Sequence, residues 1–335
     1  LRVEVATVTG QPYTTELRAD ELDILIQPIR EALDVYDLGA DPDVLPRPGQ
    51  LLHDDAEQLL VAVRAGEIKQ TANQLPGLII EATTAAHAAG STEGWLLLAS
   101  YYRTAYDVTS KLGYPDLATI ALSRMEWAAE RGGGAIVGGM YRYMRALTYL
   151  RAGQYRTGDR LIRMGLGILE QAEPGRERDV LTGQLHLGAA VMAGRAQNGD
   201  EADGHLDEAE RIATTTGDAS SVHWLSFSPT NVAVHRVSVL AELDEYGHAA
   251  QIGRQIVMPK QWPASRRSHH FAELARAQMW DGQLDDAFSN LLRARKAAPQ
   301  QARYHQTVRE TYDGLEAAKR QLPDSFLSYG SWLGI

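Results

Sequence analysis

The chain has 335 residues, and one compact core seldom exceeds roughly 250 to 300 residues, so its length predicts either two domains or an elongated array of repeats. The absence of cysteine excludes thiol nucleophiles, thiolate metal sites and disulfides. The net charge of −10 disfavours direct binding of these residues to a phosphate backbone.

Periodic apolar residues predict helices along the first quarter of the chain. Residues 20–38 have the apolar spacing of an amphipathic helix. The following segment, Asp41–Gln50, contains several prolines and is interpreted as a linker. Residues 51–65 and 68–89 then predict a first pair of helices. Strand patterns such as Val3–Val8 are short and isolated, so we predict an all-α fold.

The remaining chain repeats a pattern of two helices joined by a short turn. Turns at Gly113 and Gly153 lie 40 residues apart, and turns at Leu243 and Gly282 lie 39 residues apart. The interval of 90 residues from Gly153 to Leu243 predicts two units with an insertion at Gln197–Gly204. This period exceeds the roughly 34 residues of a standard tetratricopeptide unit, so we expect an irregular superhelix.

The clearest unit runs from Phe271 to Pro299. Phe271, Leu274 and Ala275 fit the spacing of a first tetratricopeptide helix, and Ala287 fits the start of the second. Paired helices approach closely only where small residues meet, so Ala275 should face Ala287. The predicted fold is therefore a tetratricopeptide-like superhelix of helical hairpins, an α-solenoid, with an open concave wall for recognition.

Five segments carry a family resemblance that extends over nearly the whole chain. They are Leu1–Tyr13, Gln74–Leu78, Leu112–Ala118, Ser228–Val232 with His235, and Ala298–His305. Together they resemble the C-terminal region of actinobacterial helix-turn-helix transcriptional regulators of the xenobiotic-response-element type. The resemblance implies a ligand-sensing domain of a homodimer, in which DNA is bound only through an N-terminal domain that is absent from these residues.

This resemblance and the repeats together predict four segments. Residues 1–19 would be the junction that follows the missing helix-turn-helix domain, and residues 20–50 the N-terminal helix and linker. Residues 51–322 would form the repeat domain, which ends in a capping helix over Ala302–Leu322. Residues 323–335 would form a C-terminal tail that packs against a neighbouring surface or subunit.

Candidate binding residues follow from the expectation that the first helix of each pair lines the concave wall. Asn231 and His235 are four residues apart and share one helical face. An asparagine amide both donates and accepts, so it can hold a peptide backbone or a small polar ligand. The alternative is that these side chains are solvated, bonded internally or, for the aromatic ones, packed in the core. The full predicted set is Arg103, Asp107, Tyr143, His186, Trp224, Phe227, Asn231, His235, Arg276 and Trp280.

Metal, cofactor and catalytic motifs are not found in the sequence. His269, His270 and His305 have neither the i, i+4 histidine spacing nor the nearby carboxylates of a metal site. The glycine-rich run Gly132–Gly139 lacks the Lys-Ser/Thr ending of a phosphate loop and is interpreted as a turn between helices. We therefore predict no metal, no cofactor and no enzymatic activity.

The leading functional hypothesis is a domain that senses a peptide or small signal molecule in the concave groove and passes the change to a DNA-binding part. The alternative is a constitutive scaffold that holds a protein partner without a small ligand. No apolar stretch reaches the roughly 20 residues of a membrane span, and no signal peptide pattern precedes the first helix. We expect a cytoplasmic homodimer without membrane contact.

Overall fold

The computed structural model describes residues 19–318 and 323–335, and over these residues the chain is all-helical. The predicted strand pattern at Val3–Val8 and most of the predicted junction at residues 1–19 lie outside the described residues. Within the described residues, β structure is limited to one isolated β-bridge between Ala219 and Phe227. None of the described helices combines the length and the apolar character needed to cross a membrane.

Sixteen α-helices and one short 3-10 helix, Val222–Trp224, make up the described fold. The α-helices in chain order are α1 Ala19–Asp34, α2 Gly49–Ala65, α3 Ile68–Ala89, α4 Thr92–Lys111, α5 Pro115–Gly132, α6 Ala135–Arg151, α7 Tyr155–Leu169, α8 Arg176–Arg195, α9 Gly199–Thr216, α10 Pro229–Glu242, α11 Tyr246–Gln255, α12 Ala264–Trp280, α13 Leu284–Ala297, α14 Pro299–Tyr304, α15 Gln306–Ala318 and α16 Asp324–Leu333. Neighbours in sequence pack most closely, above all α4 with α5, α6 with α7, α8 with α9, and α12 with α13.

The turns within these pairs lie where the sequence predicts them. Gly113, Gly153 and Gly282 have φ values of +87°, +69° and +79°, in the left-handed region that glycine adopts without steric cost. Near the predicted turn at Leu243, the left-handed position is taken by Asp244, with φ of +63°. Gln197 makes the equivalent turn between α8 and α9.

The predicted insertion at Gln197–Gly204 is wrong. Asn198 caps α9, because its side chain accepts from the backbone N–H of Glu201, and the polar residues that follow form the first turn of that helix. The additional length lies instead in the connection over residues 217–228, which contains the 3-10 helix and the β-bridge.

The two small residues predicted to face each other both lie in the packing of α12 on α13. Ala275 and Ala287 are fully buried and belong to the same apolar cluster, together with Phe288 and Leu291. Small side chains at this position let the two helix backbones approach, while the larger residues fill the space toward the next helices. The local pairing is therefore encoded by the spacing of alanine and leucine.

The C-terminal region differs from the single capping helix predicted over Ala302–Leu322. His305 has an extended backbone, with ψ of 122°, and separates α14 from α15, while residues 319–322 lie outside the described residues. The predicted tail forms α16, in which Phe326, Tyr329 and Leu333 are fully buried. These side chains complete the apolar core over α13 and α15.

The first and last thirds of the chain meet. The backbone N–H of Lys69 on α3 donates to Gln300 Oε1 at 2.9 Å, and Lys111 Nζ on α4 donates to Gln301 Oε1 at 2.8 Å. Helix α12 also packs on α2. An open wall was expected, whereas helices from the two ends of the chain are in contact, with α14 against α3 and α12 against α2.

Candidate ligand-binding site

Alternate helices direct polar side chains toward one interior region, which we call the inner cluster. Helix α12 packs on both α10 and α2, and α2 packs on α4, so these helices converge. The inner cluster consists of Arg64, Arg103, Asp107, Lys111, Tyr143, Arg151, Asn231, His235, Arg266, His269 and His305.

Asp107 is held by an arginine from another helix. Arg64 Nη2 on α2 donates to Asp107 Oδ2 at 3.1 Å, and Arg64 Nε donates to the carbonyl oxygen of Trp224 at 2.7 Å. Burial opposes ionisation of Asp107, but the charges of Arg64 and Arg103 outweigh it and hold the pKa of the carboxyl group below its usual value. Asp107 is therefore an anion that is held by Arg64 and stabilised by the charge of Arg103.

Arg103 is buried without a full set of acceptors. Its side chain lies on α4, the residue is 2% exposed, and its Nε and Nη2 donate to no described residue. Burial and the nearby charge of Arg64 lower the pKa of the guanidinium to about 10, so the group stays charged at neutral pH. An unsatisfied donor on a charged, buried group costs roughly 1–3 kcal/mol or more, so this position disfavours the unliganded fold.

Asn231 and Arg266 form a second polar pair in the inner cluster. Ser228 Oγ accepts from the backbone N–H of Asn231 at 3.2 Å and begins α10. Arg266 Nε and Nη2 both donate to Asn231 Oδ1, at 3.0 and 2.6 Å. Asn231 is fully buried, and its Nδ2 has no acceptor among the described residues. Its amide therefore presents free donors toward the interior.

Three histidines of the inner cluster are held neutral. His235 Nδ1 lies 2.8 Å from the carbonyl oxygen of Asn231, and burial with the charge of Arg266 lowers the pKa of His235 to about 3. His269 Nδ1 lies 3.3 Å from His305 Nε2. Burial is also the main cause that lowers the pKa of His305 to about 4 and that of His269 well below its usual value. These rings act as polar, uncharged groups at neutral pH.

Lys111, Arg151 and Arg266 lie where the inner cluster reaches solvent. Arg151 is exposed, and Lys111 and Arg266 are half-buried. Burial and the charge of Arg64 lower the pKa of Lys111 to about 7.

Tyr143 and Arg276 also face the interior but have protein partners. Gln184 Nε2 donates to the Tyr143 hydroxyl at 2.7 Å. Arg276 Nη2 donates to Glu242 Oε1 at 3.0 Å and to Glu273 Oε2 at 2.8 Å. Arg276 therefore belongs to a charge-balanced network that links α10 to α12.

The remaining predicted site residues lie elsewhere. His186 Nδ1 is 2.9 Å from His205 Nδ1, and His186 lines a cleft of about 450 Å³ between α7, α8 and α9. Phe227 is fully buried against Gly183, so it belongs to the core. Trp280 is 64% exposed and stacks on Tyr246 with ring centroids 5.9 Å apart.

Trp224, predicted as a ligand-binding residue, contributes its backbone carbonyl oxygen to the inner cluster. It has a φ value of +52°, which bulky residues rarely adopt, and its carbonyl oxygen accepts from Arg64. Its segment packs on α2 and α8 and covers one side of the inner cluster.

Sequence reasoning missed several members of the inner cluster. Lys111 continues the i, i+4 series that starts with Arg103 and Asp107, and extending that series would have found it. Arg64 and Arg266 carry no such local signal, because they join the cluster only when α2 and α12 come together.

No arrangement of three or more histidine, aspartate or glutamate side chains in the described ranges has the geometry to hold a metal ion. The residues of the inner cluster that could contact a ligand are hydrogen-bond donors and cations. They suit an acceptor-rich or anionic molecule.

Comparison with known proteins assigns no family. No family model matches the chain, and no curated protein matches it. The crystal structure of BtubC (BKLC) from P. vanneervenii is similar over 75% of this chain and 93% of that chain, with 14% identity and a TM-score of 0.44. A likeness of this degree supports no statement about function, and the resemblance to actinobacterial regulators rests on the quoted segments alone.

Proposed function

We propose that the chain is a tetratricopeptide-like superhelix that senses a signal molecule for a helix-turn-helix transcriptional regulator. The observation that carries this proposal is the pair of buried residues with donors that have no acceptor among the described residues, Arg103 and Asn231 of the inner cluster. Buried donors are rarely left unsatisfied, and a ligand with matching acceptors would satisfy them. The repeat spacing and the family resemblance support the superhelix and the regulatory context.

The proposal is for a binding protein and not for an enzyme. In the inner cluster, Asp107 is engaged by Arg64, and His235 is engaged by a backbone carbonyl and held neutral by burial. Asp107 therefore balances the charge of Arg64, and the His235 ring is held in place by the carbonyl of Asn231. The free groups, Arg103 and Asn231, can donate hydrogen bonds but cannot act as nucleophiles at neutral pH.

Signal transmission in this proposal uses the contact between the two ends of the chain. A ligand held by Arg103 on α4 and Asn231 on α10 bridges helices that belong to different parts of the sequence. Such a ligand favours the closed arrangement in which Gln301 accepts from Lys111. Its binding would shift the population toward that arrangement and alter the spacing of two attached DNA-binding domains.

Thermal melting tests the proposal. The chain is melted with panels of metabolites and short peptides, in the wild type and in the double variant Asn231→Ala, His235→Ala. We expect at least one compound to raise the melting temperature of the wild type, since a ligand at 100 times its Kd adds about 2.7 kcal/mol of stability. The rise should be lost in the double variant. If no compound raises the wild-type midpoint, or both proteins respond equally, the assignment of the site is wrong.

A surface feature favours the scaffold as a second candidate. Exposed Trp280, the last residue of α12, stacks on half-buried Tyr246, the first residue of α11. Exposed tryptophan is frequent at protein interfaces. If the chain is a scaffold that associates through this surface, Trp280→Ala should weaken self-association, measured by sedimentation. The Asn231→Ala, His235→Ala double variant should not. Equal sedimentation of wild type and Trp280→Ala argues against the scaffold.

A further inference from the structure

The inner cluster collects more positive charge than its carboxylate neutralises. Resting on the function proposed above, we infer that the ligand is a small, multiply charged oxyanion held between Arg103, Lys111 and Arg266. Phosphate esters and polycarboxylates share this chemistry. The inference concerns the class of ligand, which neither the repeat pattern nor the family resemblance specifies.

Charge balance is the first support. Four arginines and one lysine of the inner cluster come from four helices: Arg64, Arg103, Arg151, Arg266 and Lys111, whose pKa of about 7 leaves it partly neutral at neutral pH. Asp107 is already bonded to Arg64, and Glu273, whose charge also acts on Arg266, is bonded to Arg276. Gathering like charges in a poorly solvated region is unfavourable unless an anion compensates them.

The ion-pair network beside the inner cluster is charge-balanced, in contrast to the cluster itself. Arg276 and Arg195 lie on α12 and α8, and both pair with Glu242, while Glu273 adds a second carboxylate to Arg276. There the protein supplies one carboxylate for each arginine. The chain as a whole carries a net charge of −10, so the positive excess of the inner cluster runs against its overall composition.

The available donors fit an oxyanion. Nε and Nη2 lie on the same edge of the Arg103 guanidinium, and this edge is the one that binds two oxygens of a phosphate or carboxylate side by side. Asn231 Nδ2 adds a neutral donor from α10. Lys111 Nζ has one protein acceptor, Gln301, and an ammonium group carries three protons.

Enclosure limits the size of the ligand. Gln300 and Gln301 on α14 bond to α3 and α4, and the Trp224 segment lies against α2 and α8. These contacts cover the inner cluster on two sides. A polymer such as nucleic acid could reach it only by breaking them, so the oxyanion must be small.

Isothermal titration calorimetry of the full chain tests the inference, with sodium pyrophosphate and sodium citrate as the probes at pH 7.5. We expect one site per chain for at least one probe, with an affinity that falls as sodium chloride is raised. Arg103→Met should weaken binding at least tenfold. Arg236→Met is the matched control, because Arg236 also lies on an inner helix but pairs with Asp207 and Glu210 of α9, and its affinity should equal that of the wild type.

The two probes identify the source of the oxyanion. Binding of pyrophosphate alone supports a phosphate ester, and binding of citrate alone supports a polycarboxylate. Binding of neither probe by the wild type overturns the inference, and so does equal binding by Arg103→Met. If both anions fail while a neutral compound from the melting panel binds and is lost in the Asn231→Ala, His235→Ala variant, the inference fails but the proposed function stands.

Unfolding of the variant must be separated from loss of the site. Arg103→Met removes a buried charge without full compensation, so in the absence of any anion the variant should melt at or above the wild-type temperature. A weaker affinity in a variant of undiminished stability supports the inference. If Arg103→Met melts well below the wild type, Arg103 has a structural role and the inference is rejected.

Discussion

Arg103 and Asp107 lie one helical turn apart on α4, yet the Asp107 carboxylate accepts from Arg64 of α2, and Arg103 Nε and Nη2 have no acceptor among the described residues. The local i, i+4 pair is thus replaced by a contact between helices. This exchange leaves one cation, Arg103, available for a ligand. It also makes Asp107 the anion on which several buried cations depend.

Asp107→Asn should destabilise the chain by roughly 3 kcal/mol, because removing one partner of a buried ion pair leaves its cations uncompensated. Urea unfolding followed by circular dichroism measures the change. Asp159→Asn is the control, since Asp159 pairs with the exposed Arg163 on α7 and its loss should cost about 1 kcal/mol or less. Equal stability of the two variants would show that Asp107 is not the anion that balances the inner cluster.

Stability should fall as the pH is lowered from about 6.5 toward 5. An unfolded histidine takes up its proton near pH 6.5, whereas burial lowers the pKa of folded His235 to about 3 and that of His305 to about 4. The unfolded state therefore binds more protons in this interval, and each such histidine removes up to about 1.4 kcal/mol per pH unit.

Urea unfolding at several pH values checks this slope with His235→Gln. The variant should have a flatter dependence on pH between 6.5 and 5 than the wild type. His53→Gln is the control, because His53 is exposed on α2 and lies outside the inner cluster. A His235→Gln slope identical to the wild type contradicts the burial of a neutral His235.

Lys111 should titrate near neutral pH, because burial and the charge of Arg64 lower its pKa to about 7. Reductive methylation with a carbon-13 label reports the titration by NMR, and Lys111→Met identifies the resonance. Pyrophosphate should move the midpoint upward, since an anion favours the charged ammonium. A midpoint near the ordinary lysine value of about 10.4 would contradict the described environment.

Gly183→Ala should destabilise the fold by about 1–3 kcal/mol, because the new methyl group would overlap the ring of Phe227 in a closely packed core. Gly167→Ala is the matched control. Gly167 lies within α7 with no heavy atom near the position of an added methyl group, so its replacement should stabilise the helix by up to about 1 kcal/mol. Thermal melting compares the two. A harmless Gly183→Ala would show that Phe227 is not packed there.

Much of the fold can be predicted from local patterns. Apolar spacing and left-handed turn positions such as Gly153 and Gly282 depend on neighbouring residues, and they place the helices and pairs close to where they are observed. The prediction of an insertion at Gln197–Gly204 is wrong because Asn198 caps α9 and the polar residues after it form the first turn of that helix. Polar composition alone does not distinguish an insertion from the start of a helix.

The candidate site was only partly predictable. The sequence predicts Arg103, Asn231 and His235 on an open wall, but in the fold Arg103 and Asn231 are buried and His235 is half-buried. The contact between the two ends of the chain cannot be predicted in this way, because it depends on bonds such as that of Lys69 with Gln300, which are 231 residues apart in sequence. Periodicity carries no information on how distant helices meet. For the same reason, the sequence does not predict Arg266 as a site residue, because it joins the inner cluster only where α12 packs beside α10.

A crystal structure of the chain grown with sodium pyrophosphate tests the central claim most directly. We predict electron density for the anion in the inner cluster, within hydrogen-bond distance of Arg103 Nε and Nη2 and of Asn231 Nδ2. Crystals in which Arg103 instead pairs with a protein carboxylate, and in which the anion lies only on the outer surface, would contradict the account.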